Sequence, residues 1–219
     1  MGSSVLFTRP RHDYPTRYLA TWNDEIIERA KEKRMDVFDL EGKRAKRKNV
    51  ESFLQHKQPN LVLFNGHGGP DLIMGHENEI IMRVRNKESM LAKTIVYALA
   101  CASGAILGPA CVKAGARAYI GYDADFTFMR LNNFRTHPQD DSLAKLFSGP
   151  SNLIGTTLIK GHTAGDAYKR SQKAFRRNIN RLISSETRPE ESATLRYLLW
   201  DMQHQVCLGN KEAKIVSDI

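Results

Sequence analysis

The chain has 219 residues, of which 41% are hydrophobic and 26% charged, and its formal net charge is +9. A chain of this length can bury a substantial core, so we expect one domain over residues 1–219. The composition excludes a disordered protein, and the absence of any apolar run near the roughly 20 residues that cross a bilayer excludes a membrane-spanning one.

Strand and helix patterns alternate along the chain. The predicted strands are residues 5–8, 35–40, 61–64, 95–99 and 117–122, with a small hairpin at 72–74 and 80–82. The predicted helices are residues 16–34, 50–57, 87–91, 102–114, 140–147, 152–160, 163–184 and 190–205. Long helices that alternate with short apolar strands predict a three-layer α/β/α sandwich with a mainly parallel central sheet.

The N-terminal sequence and the cysteines predict the cellular compartment. No signal peptide is recognised, because the apolar residues 5–7 are too few and Arg9 follows them. The three cysteines are Cys101, Cys111 and Cys207, and they form no C-x-x-C pair, which argues against a disulfide framework. We therefore expect a cytoplasmic protein, with Cys111 and Cys207 as small buried hydrophobic residues.

The positive charge concentrates in residues 43–48 and 169–181. Such runs can bind nucleic acid or an acidic partner, and they also occur as solvated helix ends and loops. No zinc-finger or RNA-recognition motif accompanies them. A nucleic-acid partner is therefore left open without support from a motif, and no membrane contact is expected.

His67 and Cys101 each follow one of the most apolar runs in the chain. Ligands of open parallel sheets bind beyond the carboxyl ends of the strands. If the two strands are neighbours, an imidazole and a thiol meet at one edge, which is the arrangement of a cysteine nucleophile with a histidine base. Either residue alone is more readily explained as structural, so the signal lies in the pair.

The residues that surround this pair also fit a catalytic role. Glycines flank His67 and allow the backbone to approach a ligand, so the amide of Gly68 is a candidate donor to an oxyanion. Cys101 leads directly into the helix predicted at residues 102–114. A helix N-terminus lowers the pKa of a thiol, and we therefore expect an activated Cys101.

Four short segments occur in a recognisable order. They are Gly-His-Gly at residues 66–68, Ala-Leu-Ala-Cys-Ala-Ser-Gly at 98–104, Val-Lys-Ala-Gly-Ala-Arg-Ala-Tyr-Ile-Gly at 112–121 and Gln-Val-Cys-Leu-Gly-Asn at 205–210. This order resembles the caspase-fold cysteine peptidases, and within them the CHAT and gingipain-like branch. Two positions depart from the pattern: Leu99 stands where some relatives carry an acidic residue, and Asn210 stands where the closing segment of many relatives has aspartate.

The resemblance implies a mechanism for a protein or peptide substrate. Cys101 attacks a peptide carbonyl, His67 protonates the leaving amine and Gly68 donates to the oxyanion. Asp123 and Asp125 follow the last predicted parallel strand, and acids in that place resemble the pocket of relatives that cleave after Arg or Lys. Alternatively, the two acids cap a turn. The resemblance implies no metal or organic cofactor, and it implies control by a sensor partner or domain.

Two other functions compete with the peptidase. One is a catalytically silent or gated caspase-like scaffold whose basic surface binds nucleic acid or a protein. The other is an enzyme that resembles the glutamine amidotransferases, with Cys101 as nucleophile and His162 downstream. No metal site is predicted, because His76, His137 and His162 are dispersed, and His76 is expected to be exposed at the tip of the hairpin.

Overall fold

The computed structural model of the protein describes residues 2–85, 87–134, 136–184 and 189–215. The strands are β1 (Ser4–Arg9), β2 (Asp36–Glu41), β3 (Leu61–Asn65), β4 (Gly68–Gly69), β5 (Leu72–Met74), β6 (Ile80–Arg83), β7 (Ile95–Leu99), β8 (Ala118–Tyr122) and β9 (Gln205–Gly209). The helices are α1 (Tyr14–Glu32), α2 (Arg47–Lys57), α3 (Leu107–Lys113), α4 (Lys145–Ile159), α5 (Ala164–Ser184) and α6 (Pro189–His204).

The main sheet has six strands in the order β2-β1-β3-β7-β8-β9. The first five strands in this order are parallel, and β9 runs antiparallel to β8. Because β1, β3, β7 and β8 are buried along their whole length, their sequences are continuous apolar runs. The predicted α/β/α sandwich with a mainly parallel sheet is therefore confirmed.

Each face of the sheet carries its own apolar core. Successive side chains of a strand point to opposite faces, so Leu61 and Leu63 pack with α1, α4 and α5, whereas Val62 and Phe64 pack with α2 and α3. The smaller sheet, β4-β5-β6, lies with the second core through Ile73 and Ile81. It contains the predicted hairpin and adds β4, which the sequence did not predict.

Helix α3 begins later than the sequence predicts. The segment from Cys101 to Ile106 forms turns, and the helix starts at Leu107. Two amides of this segment bind carbonyls at and just beyond the end of β8 instead of helical ones: Ala102 N donates to Ala124 O at 2.9 Å and Gly104 N to Tyr122 O at 2.7 Å. The prediction of a helix over residues 102–114 is therefore wrong in its first five residues.

Helix α4 is one helix where the sequence predicts two. It continues through Pro150, whose missing amide leaves the carbonyl of Leu146 without its helical partner. Asn178 on α5 fills this gap, because its side-chain Nδ2 donates to Leu146 O at 2.8 Å. A contact from a neighbouring helix thus keeps α4 continuous. In the described parts of the chain, no helix has both the length and the apolar character needed to span a membrane.

Candidate active site

The site lies at the carboxyl edge of β3 and β7. These strands are neighbours in parallel register, with Asn65 opposite Leu99, so both end at the same level. His67 and Cys101 each follow two residues after this last pair. The condition on which the sequence argument depended, that the two strands are adjacent, is met.

Gly68 brings the backbone of one side of the site against the other. A Cβ atom at Gly68 would lie 2.6 Å from the carbonyl oxygen of Cys101 and 3.0 Å from its amide nitrogen, so a side chain does not fit there without movement. Met74 N donates to His67 O at 2.9 Å, and Gly68 stands opposite Ile73. This makes Gly68 and Ile73 a non-hydrogen-bonded pair. The ladder with β5 therefore leaves the amide of Gly68 unused.

The ring of His67 is held by Asp13, which precedes α1. His67 Nε2 lies 2.6 Å from Asp13 Oδ2, and both side chains are about one-third exposed, at 36% and 34%. Burial raises the pKa of Asp13, but hydrogen bonds from His67 and Thr16 outweigh it and lower the pKa to about 2. Since Asp13 is ionised near neutral pH, Nε2 carries a proton and donates it to the carboxylate. Nδ1 is then the nitrogen that is available to a substrate.

Asp13 is also the N-cap of α1. Its Oδ1 accepts hydrogen bonds from the amide of Thr16 at 2.9 Å and from the hydroxyl of Thr16 at 2.6 Å, and the Thr16 hydroxyl lies 3.2 Å from the amide of Asp13. The helix start therefore fixes the carboxylate whose second oxygen holds His67. The sequence patterns do not single out Asp13. An Asp-x-x-Thr pair before an amphipathic helix indicates an N-cap. It does not indicate that the capping residue contacts His67, which is 54 positions away.

His12 lies beside His67, and His76 lies beside His12. The ring centroid of His12 is 5.9 Å from that of His67 and 5.4 Å from that of His76. His76 is only 8% exposed, and burial lowers its pKa. The expectation that His76 is exposed at a hairpin tip is wrong, because the amide of His76 donates to Ala45 O at 2.7 Å and the tip folds against the segment before α2.

Cys101 lies in apolar surroundings that favour the neutral thiol. Its Sγ donates to the carbonyl of Phe126 at 3.7 Å. Burial raises the pKa of the Cys101 thiol, and the acidic groups of Asp125 and Asp201 act in the same direction. The expectation of a pKa lowered by a helix N-terminus is wrong, since α3 starts only at Leu107.

The acids that follow β8 occupy different places. Asp123 Oδ1 pairs with His204 Nδ1 at 2.8 Å, and the amide of Asp123 also binds the carbonyl of His204. Asp125 is exposed, and its carbonyl accepts a hydrogen bond from the indole of Trp200 at 2.8 Å. Only Asp125 of the two acts on the pKa of Cys101. It is therefore the acid of this pair with the stronger electrostatic link to the thiol.

Asp201 on α6 is a third acid that the sequence did not single out. It is fully buried, and burial raises its pKa to about 8. Its Oδ1 accepts from Thr127 N at 3.0 Å, whereas its Oδ2 has no hydrogen-bond partner within the described residues. Its position inside α6 carries no sign of this contact, so only the packed structure reveals it.

His162 lies far from the edge that carries Cys101. It joins α4 to α5, and its neighbours Lys160 and Gly161 line a groove with Ser3 and Met35, which immediately precede β1 and β2. This is the amino edge of the parallel strands, opposite to the carboxyl edge. The structure therefore does not bring His162 to Cys101, as the amidotransferase alternative requires.

The two basic runs differ in their surroundings. In residues 43–48, Lys46 Nζ pairs with Glu77 at 2.8 Å. Its neighbour Arg47 donates to the carbonyl of Ile80 at 2.7 Å. The basic residues of α5 are exposed, and they are Lys169, Arg170, Lys173, Arg176, Arg177 and Arg181. The first run is thus partly structural, and a nucleic-acid partner for the second stays a prediction.

Comparison with known proteins identifies the fold through solved structures. No family model matches the chain, and no curated protein matches it in sequence. Two similar structures are the Arg-specific cysteine proteinase gingipain R (RgpB) and a complex of the Porphyromonas gingivalis RgpB pro- and mature domains. Each has a TM-score of 0.62 and 10% sequence identity, and the match covers 98% of this chain and 48% of the other.

The chain thus spans about half the length of the proteinase chains that it matches. At this level of identity the likeness concerns the fold alone. The observed sheet order, with its parallel strands, flanking helices and antiparallel last strand, agrees with that likeness. The chain has a caspase-like fold.

Proposed function

We propose that the chain is a cysteine endopeptidase of the CHAT and gingipain-like branch, in which Cys101 is the nucleophile and His67 transfers protons. The observation that carries this proposal is the contact of Gly68 with the backbone of Cys101 at the shared edge of β3 and β7. This contact brings the backbone that follows His67 against the backbone of Cys101, and it supports a dyad beside the amide of Gly68. The fold shared with cysteine proteinases supports the same function.

The reaction proceeds in two steps. Cys101 Sγ loses its proton to His67 and forms a bond to the substrate carbonyl carbon, while the amide of Gly68 donates to the oxyanion. His67 then gives a proton from Nδ1 to the leaving amine as the C–N bond breaks, which produces a thioester. Water hydrolyses this thioester and restores the thiol. Asp13 keeps the ring oriented and stabilises its protonated form throughout.

The proposed preference is for Arg or Lys at P1, the residue before the scissile bond. A carboxylate near the thiol attracts a cation, and a guanidinium binds it best because two parallel hydrogen bonds form. Asp125 suits this role better than Asp123, since Asp123 already pairs with His204. A cytoplasmic location and control by a sensor partner remain predictions from the sequence.

Fluorogenic peptides with Arg, Lys, Asp or Leu at P1 test the proposal. We expect Cys101→Ala and His67→Ala to lower kcat/KM by at least about 1,000-fold, because either change removes a group that reacts. The control is Cys207→Ala, which removes a half-buried thiol of β9 and should retain activity. Full activity in Cys101→Ala would exclude the mechanism, and a preference for Asp or Leu would exclude the role of Asp125.

A further inference from the structure

Three side chains at the site converge in a way that proton transfer alone does not require. His12, Asp13 and His67 each offer one ligand atom, and these atoms all lie within 4.8 Å of one another. Asp13 Oδ2 is 2.6 Å from His67 Nε2 and 3.5 Å from His12 Nε2. We call these residues the His12–Asp13–His67 cluster. It combines a loop residue, a helix cap and a residue that follows β3.

We propose that the His12–Asp13–His67 cluster binds a zinc ion. Two imidazoles and one carboxylate are a common set of three protein ligands for zinc, with the fourth position left to water. Zinc–ligand bonds of about 2.0–2.2 Å place tetrahedral ligands about 3.3 Å apart. The separations in the cluster bracket this spacing, so small side-chain movements bring all three atoms to bonding distance.

The surroundings of His12 supply a second, independent observation. Its side chain is only 14% exposed, and its Nδ1 is buried without a hydrogen-bond partner within the described residues. Its Nε2 is the nitrogen that faces polar atoms, Asp13 Oδ2 and, at 3.1 Å, Asn78 Oδ1. The packing therefore presents Nε2 of His12 on the side where Nε2 of His67 also lies.

The anionic ligand is positioned in advance. Asp13 is held at the start of α1 by two hydrogen bonds to its Oδ1, which leaves Oδ2 facing both imidazoles. Zinc binding displaces the proton from His67 Nε2 and releases it to solvent. This exchange needs no oxidant, reductant or further reactant.

The zinc site has a consequence for activity that rests on the proposed function. With zinc on Nε2, the imidazole of His67 keeps at most one proton, on Nδ1, and can no longer take up a second. It then cannot accept the thiol proton and pass it to the leaving amine. Zinc and catalysis therefore exclude each other at His67, and the cluster acts as an inhibitory metal site. The sequence analysis, which expected no metal site, had no signal that brings residues 12 and 67 together.

Calorimetric titration of zinc chloride into the full chain tests the site without reference to activity. The background is Cys101→Ala, so that no zinc binds the nucleophilic thiol. We expect one zinc ion per chain and a Kd at least about tenfold higher after the additional change His12→Gln. His137→Gln is the matched control, because His137 is exposed and outside the cluster.

The outcomes separate the possibilities. An unchanged Kd in His12→Gln overturns the zinc site, and so does binding to the wild type that Cys101→Ala abolishes. Asp13→Asn is a second variant, since asparagine keeps a helix cap but lacks the charge, and it should also weaken binding. In the peptidase assay, the zinc concentration for half inhibition should rise at least about tenfold in His12→Gln, relative to its own zinc-free rate. Binding without peptidase activity would overturn the proposed function and leave the site intact.

Discussion

The two sides of the candidate dyad lie in opposite electrostatic surroundings. On the His67 side, an ionised carboxylate with a pKa of about 2 contacts the ring. On the Cys101 side, burial and the acidic groups of Asp125 and Asp201 raise the pKa of the thiol. One side holds a stable negative charge, whereas the other opposes a negative charge on the thiol.

This difference indicates the protonation state of Cys101 before substrate binds. A stable pair of thiolate and imidazolium is not favoured, because the surroundings of Cys101 stabilise the neutral thiol. Cys101 must lose its proton as it attacks, and the charge then moves to the oxyanion near Gly68. His67 is better suited to donate a proton to the leaving amine than to hold a preformed ion pair.

Among changes that leave both His67 and Cys101 in place, the largest effect is expected where the two sides touch. Gly68→Ala places a Cβ atom 2.6 Å from the carbonyl of Cys101, so the two segments must move apart. We expect kcat/KM to fall by at least about 100-fold, which is the effect of losing one oxyanion donor. Gly69→Ala is the control, because its Cβ would meet Leu72 at an ordinary 3.7 Å. Equal activities of the two variants would contradict the role of Gly68.

An effect no larger than that of Gly68→Ala is expected from removing the charge that holds His67. Asp13→Asn keeps a residue that caps helices well, so kcat should fall by about 100-fold while the protein stays folded. Thr16→Val is the control: it removes the hydroxyl that binds Asp13, costs about 1 kcal/mol of stability and should keep most of the activity.

The stability of the fold in acid tests the lowered pKa of Asp13 independently of enzymatic activity. The folded pKa of Asp13 is lowered, so its contribution is present above the ordinary value near 3.9 and is lost as pH falls towards 2. Because the side chain is one-third exposed, we expect only about 1 kcal/mol in this window. Urea denaturation at these pH values should show a smaller loss for Asp13→Asn than for the wild type.

The smallest effect concerns the thiol alone. Since the pKa of Cys101 is raised, alkylation by iodoacetamide at neutral pH should be severalfold slower than that of free cysteine. Its rate should still increase with pH where that of free cysteine has levelled off. Labelling of Cys101→Ala gives the background from the other thiols. A rate that levels off below pH 8 would show an activated thiolate and remove the contrast between the two sides.

The sequence was sufficient to predict the parts of the site that strands position. Buried parallel strands are continuous apolar runs, and the residues that follow them meet at one edge, which is how His67 and Cys101 were found. The same reasoning could not find Asp13 or His12. These residues reach the site from the loop between β1 and α1, and no periodicity in the sequence records that contact.

Sequence patterns also failed where tertiary hydrogen bonds replaced local ones. The residues after Cys101 have the composition of a helix, yet their amides bind the carbonyls of Tyr122 and Ala124. This leaves Ala102 in a left-handed conformation, with φ of 53°, which helix propensity gives no reason to expect. The prediction of a lowered pKa for Cys101 is wrong for the same reason, because it assumed that a helix begins directly after this cysteine.

The hydrogen bond that crosses from α5 to Leu146 has a consequence for the stability of α4. Pro150 divides α4 into two parts, and each is shorter than the ~12–15 residues at which an isolated helix is marginally stable in water. The hydrogen bond from Asn178 joins the two parts to α5, so the stability of α4 depends on this packing. The continuity of α4 therefore depends on its contact with α5, and the sequence of either helix alone does not predict it.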